Sequence, residues 1–262
     1  MKMARLLPLK LYSESSDNQR VNFKASLNFL LFAVFLLFSP VLYAQEVLRG
    51  EVKVELMPIY GAYIDEEYPL ERESAYLRAL QEAAMFFSAQ IYGWSFYYDV
   101  GERARGIEEV FELTPLGEIK WGDPNLRVTQ AHFENRDFRF TSHQLADVLS
   151  VWLDYRPTDI QKRRIEMWKM GTVRNAQAVG YGPLGLPAEN SGWLAIKKAT
   201  LEDSARAAVR AMLQGSERNR PKEVTGFISL QNFPSYLMDA GRWAAQARFR
   251  VDITEIIPFS AY

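Results

Sequence analysis

Two histidines, no cysteine and a scatter of carboxylates are the raw material for chemistry in this chain of 262 residues. A zinc site needs His, Cys or carboxylate ligands at fixed spacing. His132 and His143 stand apart from each other and from any such cluster, so neither a metal nor a cofactor is expected. His143 falls inside a Thr141–Gln144 capping pattern, where starting a helix is its simpler use. No G-x-S-x-G elbow supports a Ser-His-Asp set. No glycine-rich phosphate loop occurs either, and Gly122–Asn125 (GDPN) reads as a turn. Glycoside hydrolysis needs two carboxylates facing each other across a sugar. Glu108, Glu109 and Glu112, close in sequence to Trp94, Tyr97 and Trp121, are the best candidates. On a helix Glu108 and Glu112 share a face, which describes a solvated surface equally well. An envelope glycan-binding module or glycoside hydrolase is therefore the alternative function, and the primary reading is non-enzymatic.

Cationic segments are the stronger local anomaly. DIQKRRIEMWKMGTVR carries Lys162, Arg163, Arg164, Lys169 and Arg174, and SERNRPKEV carries Arg218, Arg220 and Lys222 in a turn. A basic amphipathic helix can bind anionic lipid or an acidic partner. A helix that packs Ile160, Ile165 and Trp168 inward would show the same residues.

The compartment follows from NFLLFAVFLLFSPVLYAQEV. Phe29–Phe38 is ten residues without a polar side chain. That length fits the apolar region of a signal peptide, about 7–15 residues, and falls short of the roughly 20 a spanning helix needs. Ser39-Pro40 interrupts it, Ala44 offers a small residue for cleavage, and Lys10, Arg20 and Lys24 precede it. Residues 1–44 are expected to be a signal peptide, with retention as an uncleaved anchor as the other outcome. Removing their five basic and two acidic residues from 31 and 32 leaves 26 and 30, a net charge of −4. Such a balance argues against nucleic acid as partner. Without cysteine there is no disulfide framework, so an ordinary core must hold the exported part.

These segments need elements to position them. Val52, Val54 and Leu56 alternate with Lys53 and Glu55, a half-buried strand. Ala75, Ala79, Ala83 and Phe87 mark a helix over Glu71–Tyr92, ended by Gly93. Trp94, Phe96, Tyr98 and Val100 alternate as a strand, and Ile119–Trp121 and Leu126–Phe133 also read as strands. From Thr141 through Leu153 a helix is preferred over a strand through Leu149, Val151, Leu153 and Tyr155. Thr158 with Gln161 opens the basic helix, expected to run to about Ala178. Leu201–Leu213 is a second alanine-rich helix, Val224–Leu230 a strand, and Ala245–Ile253 a long strand with Arg248 and Arg250 on its wet face.

The expected fold is α+β: an antiparallel sheet with alanine-rich helices packed on one face. ERESAYLRALQEAAM and LEDSARAAVRAML, each followed by a strand, hint at two related halves. The organisation reads as residues 1–44 signal peptide, 45–178 an N-terminal α+β region, 179–192 a Gly/Pro-rich loop, and 193–262 a C-terminal helix plus antiparallel strands. TLEDSARAAVRAML and the strands after it, within residues 198–256, resemble the small α+β modules of bacterial envelope and flagellar-accessory proteins, such as the N-terminal domain of flagellar assembly protein T. That resemblance implies a periplasmic assembly or scaffold role with an envelope protein as partner, and it assigns no functional residue.

Overall fold

The alternation at Glu51–Leu56 becomes strand β1 (Leu48–Glu55) in the computed structural model, with Val52 and Val54 buried and Lys53 outside. The structure describes residues 47–56, 69–102, 105–134, 148–184, 192–216 and 221–258, and every structural statement below concerns these residues. All of them fall within one unit, Glu46–Tyr262. The expected signal peptide at residues 1–44, His143, the Thr141–Gln144 pattern, Arg218 and Arg220 lie outside the described residues.

Helix α1 (Arg72–Ile91) buries residues on almost every side, Ala75, Ala79 and Ala83 among them. It must therefore be packed from more than one direction. It touches β1 and β5 (Val148–Tyr155) on one side and β7 (Pro221–Leu230) on the other. Gly93 ends it at φ +66, where a Cβ would also stand 2.3 Å from the Ile228 carbonyl oxygen. Only glycine meets both demands.

Two antiparallel sheets surround this helix. The smaller has the order β1-β5-β4, with β4 spanning Leu126–Glu134. The larger has the order β3-β2-β7-β9-β6, where β2 is Trp94–Asp99, β3 Val110–Pro115, β6 Arg174–Tyr181 and β9 Arg242–Pro258. Strand β8 (Ser235–Asp239) adds a hairpin to β9. Helix α3 (Trp193–Ser216) covers β6 and β9. Its approach is close because Gly180 of β6 has no side chain: a Cβ there would stand 1.9 Å from the Ser204 nitrogen. The fold is α+β, as the sequence indicated. Each long helix leads into a strand, α1 into β2 and α3 into β7. Those two strands lie side by side, antiparallel, in the middle of the larger sheet. That sheet joins strands from both sides of residues 179–192.

Several local expectations are corrected. Residues 148–153 are strand, not helix. Leu149, Val151, Leu153 and Tyr155 alternate inward at 1% exposure or less, and β1 and β4 flank the strand on both edges. Pairing on both sides outweighs a helical reading of the same pattern. The basic helix, α2 (Asp159–Met167), stops far short of Ala178. Ala176, Ala178 and Gly180 instead alternate toward α3 in β6, so Arg174 stands on a strand and not on the helix with Lys162, Arg163 and Arg164. Ile119–Trp121 is not a strand: Ile119 is a single buried plug whose N–H donates to Ser88 Oγ at 2.8 Å. Ile160 does not face inward, being 71% exposed. The inward positions are Gln161, Ile165 and Trp168, the i, i+4, i+7 row of a helix. Val251 and Phe249 are core as expected, Ile253 is partly buried, Arg248 is exposed, and Arg250 is half-buried.

Candidate functional site

Three places in the structure gather groups that could bind or react. The first is a groove of about 860 Å³ between α1 and α3, closed on one flank by residues 115–121. It exists because the facing helix positions are small: Ala84 and Ala89 on α1, Ala195 on α3. Its large buried side chains are Trp94, Ile119 and Leu201, and Trp121 stands at the edge, 51% exposed. Ser88 and Gln81 are the polar side chains of its α1 wall, and the Ser88 hydroxyl is already engaged. It donates to the Ala84 carbonyl at 2.6 Å and accepts from Ile119 N–H. Glu118, Lys120 and Lys198 bring charge to the lining. The volume lies within the roughly 300–1,000 Å³ usual for ligand clefts.

Trp94 and Trp121 thus do share a cleft, but Glu108 and Glu112 do not line it. Glu112 sits on β3 opposite Tyr97, on the sheet face away from Phe111 and Leu113, and Glu108 is exposed in the preceding loop. Glu109 has a different use. It pairs with Arg210 of α3, and Tyr98 joins them. Burial pushes the Glu109 carboxyl up, but hydrogen bonding and charge from Arg210 outweigh it and hold the group below its ordinary value. This ties the β2–β3 connection to α3 and commits Glu109 to an ion pair instead of to a facing carboxylate.

The second place is the outer face of the smaller sheet. Cross-strand register sets Lys53, Ser150 and His132 in one row over β1, β5 and β4. His132, far from His143 in sequence, stacks on Trp152 with ring centroids 4.8 Å apart. Its Nε2 lies 2.6 Å from Glu134 Oε1, and the Ser150 hydroxyl donates to the same oxygen at 2.9 Å. Lys53 Nζ approaches the other oxygen at 3.5 Å. These bonds hold the Glu134 carboxyl below its ordinary value, the Ser150 hydroxyl contributing most and His132 next. The wiring is not that of an activated serine. In a catalytic triad the imidazole takes the hydroxyl proton, whereas here serine and histidine both address one carboxylate. Sequence reasoning missed this cluster because its members sit on three strands.

The third place is α2 and the turn after it. Thr158 and Gln161 form the expected capping box. Gln161 also reaches inward, donating from Nε2 to the Tyr92 hydroxyl at 2.8 Å and the Tyr155 hydroxyl at 2.9 Å. Trp168 Nε1 donates to the Ile91 carbonyl at 3.1 Å. Thus anchored, α2 and the turn after it carry Arg163 and Lys169 exposed and Lys162 and Arg164 partly exposed on two flanks, with Ile160, Met167 and Met170 exposed between them in sequence. Lys162 pairs with Asp159 at 3.0 Å and Lys169 with Glu166 at 2.6 Å, while Arg164 lies over the Tyr92 ring. Exposed pairs of this kind contribute little to stability and are easily exchanged. Arg174 instead borders a small pocket with Thr172, Met212 and Ile253, and Lys222 pairs with Glu223 on β7.

Among the described residues no group of three or more His, Asp or Glu side chains could hold a metal ion, and no helix is long and apolar enough to cross a membrane. A protein of Treponema pallidum (strain Nichols), described only as an uncharacterized protein, is 26% identical over 186 residues, 71% of each chain. No solved structure matches. A family model covers residues 38–259, which takes in all nine strands and all three helices described, and the chain belongs to that uncharacterised family.

Proposed function

We propose that this protein is an exported, non-enzymatic interaction or scaffold protein of the bacterial cell envelope, and that α2 is its docking element. The observation that carries this reading is the exposure of Ile160, Met167 and Met170 among Lys162, Arg163, Arg164 and Lys169, on α2 and the turn after it, locked from behind by Gln161, Ile165 and Trp168. A solvated helix and turn have no need of three exposed large apolar side chains within eleven residues. A cationic surface with apolar anchors fits an acidic protein partner, where opposite charge steers approach and buried apolar groups hold the complex. The apolar segment Phe29–Phe38, with Ala44 after it, supports export by a cleaved signal peptide. N-terminal sequencing of the protein from envelope fractions should begin at Gln45.

Crosslinking in intact cells followed by mass spectrometry tests the docking element. One specific envelope protein should be recovered, and lost when Arg163, Arg164 and Lys169 are changed to Glu. Recovery of no partner, together with loss of peptidoglycan mass on incubation with the purified protein, would reverse the reading in favour of an envelope hydrolase.

A further inference from the structure

The groove between α1 and α3 is independent of the docking helix and has its own chemistry. We infer that it is a binding site for a single-chain fatty acid, with the alkyl chain in the groove and the carboxylate at Lys120 and Lys198. Three observations lead there. The lining at depth is apolar, with Trp94, Ile119 and Leu201 buried and Trp121 left half in water at the edge. The hydroxyl of Ser88 is committed to Ala84 and Ile119 N–H, which leaves Gln81 as the other polar side chain of the α1 wall, few groups for a ligand rich in hydroxyls such as a sugar. Charge is confined to Glu118, Lys120 and Lys198, a net of one positive charge. Lys198 pairs with Glu202 at 3.9 Å, and its own side chain is half exposed.

A ligand that matches this has a long apolar body and one negative charge at its end. A fatty acid is a monoanion at neutral pH. A phosphate monoester carries about −1.5 to −2 charges there, more than the groove balances. Burying the chain supplies the affinity, and the lysines set which end stays at the surface.

The test uses protein exported by cells expressing the full chain, titrated calorimetrically with decanoate below its micelle concentration. Chain-matched decyltrimethylammonium, decyl glucoside and decyl phosphate are the comparisons. Decanoate should bind one per chain, and the cationic and neutral amphiphiles at least about tenfold more weakly. Ala195→Trp, at an exposed position of α3 facing the groove, should abolish binding of all four. Lys120→Glu with Lys198→Glu should weaken decanoate by about tenfold or more and leave decyl glucoside unchanged. If Ala195→Trp alters the thermal melt, Trp121→Ala takes its place and should weaken decanoate. No heat with decanoate, equal binding of the four amphiphiles, or decanoate binding untouched by both groove variants would each overturn the inference. Tighter binding of decyl phosphate would overturn the choice of carboxylate. Self-association at rising concentration that Ala195→Trp abolishes would instead make a second copy the occupant.

Discussion

The ammonium of Lys197 lies 2.7 Å from both carboxylate oxygens of Glu82, and both side chains are almost fully buried. The pair joins α1 to α3, and the rings of Trp193, Tyr236 and Trp243 stand 5.9, 5.1 and 5.5 Å from Nζ. Burial pushes the Glu82 carboxyl above its ordinary value, and Lys197 pulls it back only in part. Removing one partner strands the other charge. Lys197→Met should therefore cost about 3–5 kcal/mol, and adding Glu82→Leu should recover most of it. Urea unfolding of the two single variants and the double variant measures the coupling; strictly additive losses would show that the pair is not a unit.

Gly180 and Ser204 set the distance between β6 and α3. Because a Cβ at 180 would stand 1.9 Å from a backbone nitrogen, no rotamer change can relieve the clash. Gly180→Ala should cost about 3 kcal/mol or more. Gly171→Ala, where nothing lies within 4 Å of the added carbon, should stay within about 0.5 kcal/mol. Thermal denaturation of both variants is the measurement, and similar melts would mean that α3 shifts freely on the sheet.

The two faces of β9 separate cleanly enough to test. Val251 is fully buried against β7 and the helices, while Arg248 is exposed and touches Gln177 across the strand pair. Val251→Asp buries an unpaired charge and should leave the protein unfolded or lower its stability by more than about 4 kcal/mol. Arg248→Asp should change it by less than about 0.5 kcal/mol. Equal losses in circular dichroism melts would refute the assigned faces.

How legible such features were in the sequence depended on how local their cause was. Alanine spacing marked α1 and α3 because both helices lie close on sheets, and strict alternation marked β1, β2 and β9 because each has one face in the core. Strand β5 was misread because VLSVWLDY fits both periods, and only its two neighbours decide. Ile160 was misread because Gln161, a polar residue, takes the inward position through bonds to Tyr92 and Tyr155. Of Trp94, Tyr97 and Trp121 only the two tryptophans line the cleft, and the acid there is Glu118, not Glu108 or Glu112. The Glu82–Lys197 pair spans 115 positions, and nothing near either residue announces the other.

Acid should weaken the fold through the carboxylates held below their ordinary value, among them Glu109 by Arg210 and Glu134 by Ser150 and His132. For a carboxylate depressed in the folded state, the stabilisation is complete above the unfolded value near 4.5. It is lost as pH falls through the lower folded value. The melting temperature should hold at neutral pH and drop below about pH 4.5. In Arg210→Met the neutral melting temperature should be lower, and its gap from the unaltered protein should narrow as pH falls. A gap that stays constant with pH would show that Arg210 acts by packing alone.

Ile160 and Ile165 lie five positions apart on α2 and should answer in opposite ways. Ile165 is 5% exposed and fixes the helix to the core beside Trp168, so Ile165→Ala should cost about 2–4 kcal/mol. Ile160 is largely in water, and Ile160→Ala should change stability by less than about 0.5 kcal/mol, helped slightly by the better helix propensity of alanine. If α2 docks on a partner, the exposed residue is the one that matters for crosslinking. Ile160→Ala should then reduce partner recovery from intact cells while leaving the urea midpoint unchanged. Full recovery with Ile160→Ala and with Met167→Ala would remove the apolar anchors from the docking surface and leave the cations alone to carry it.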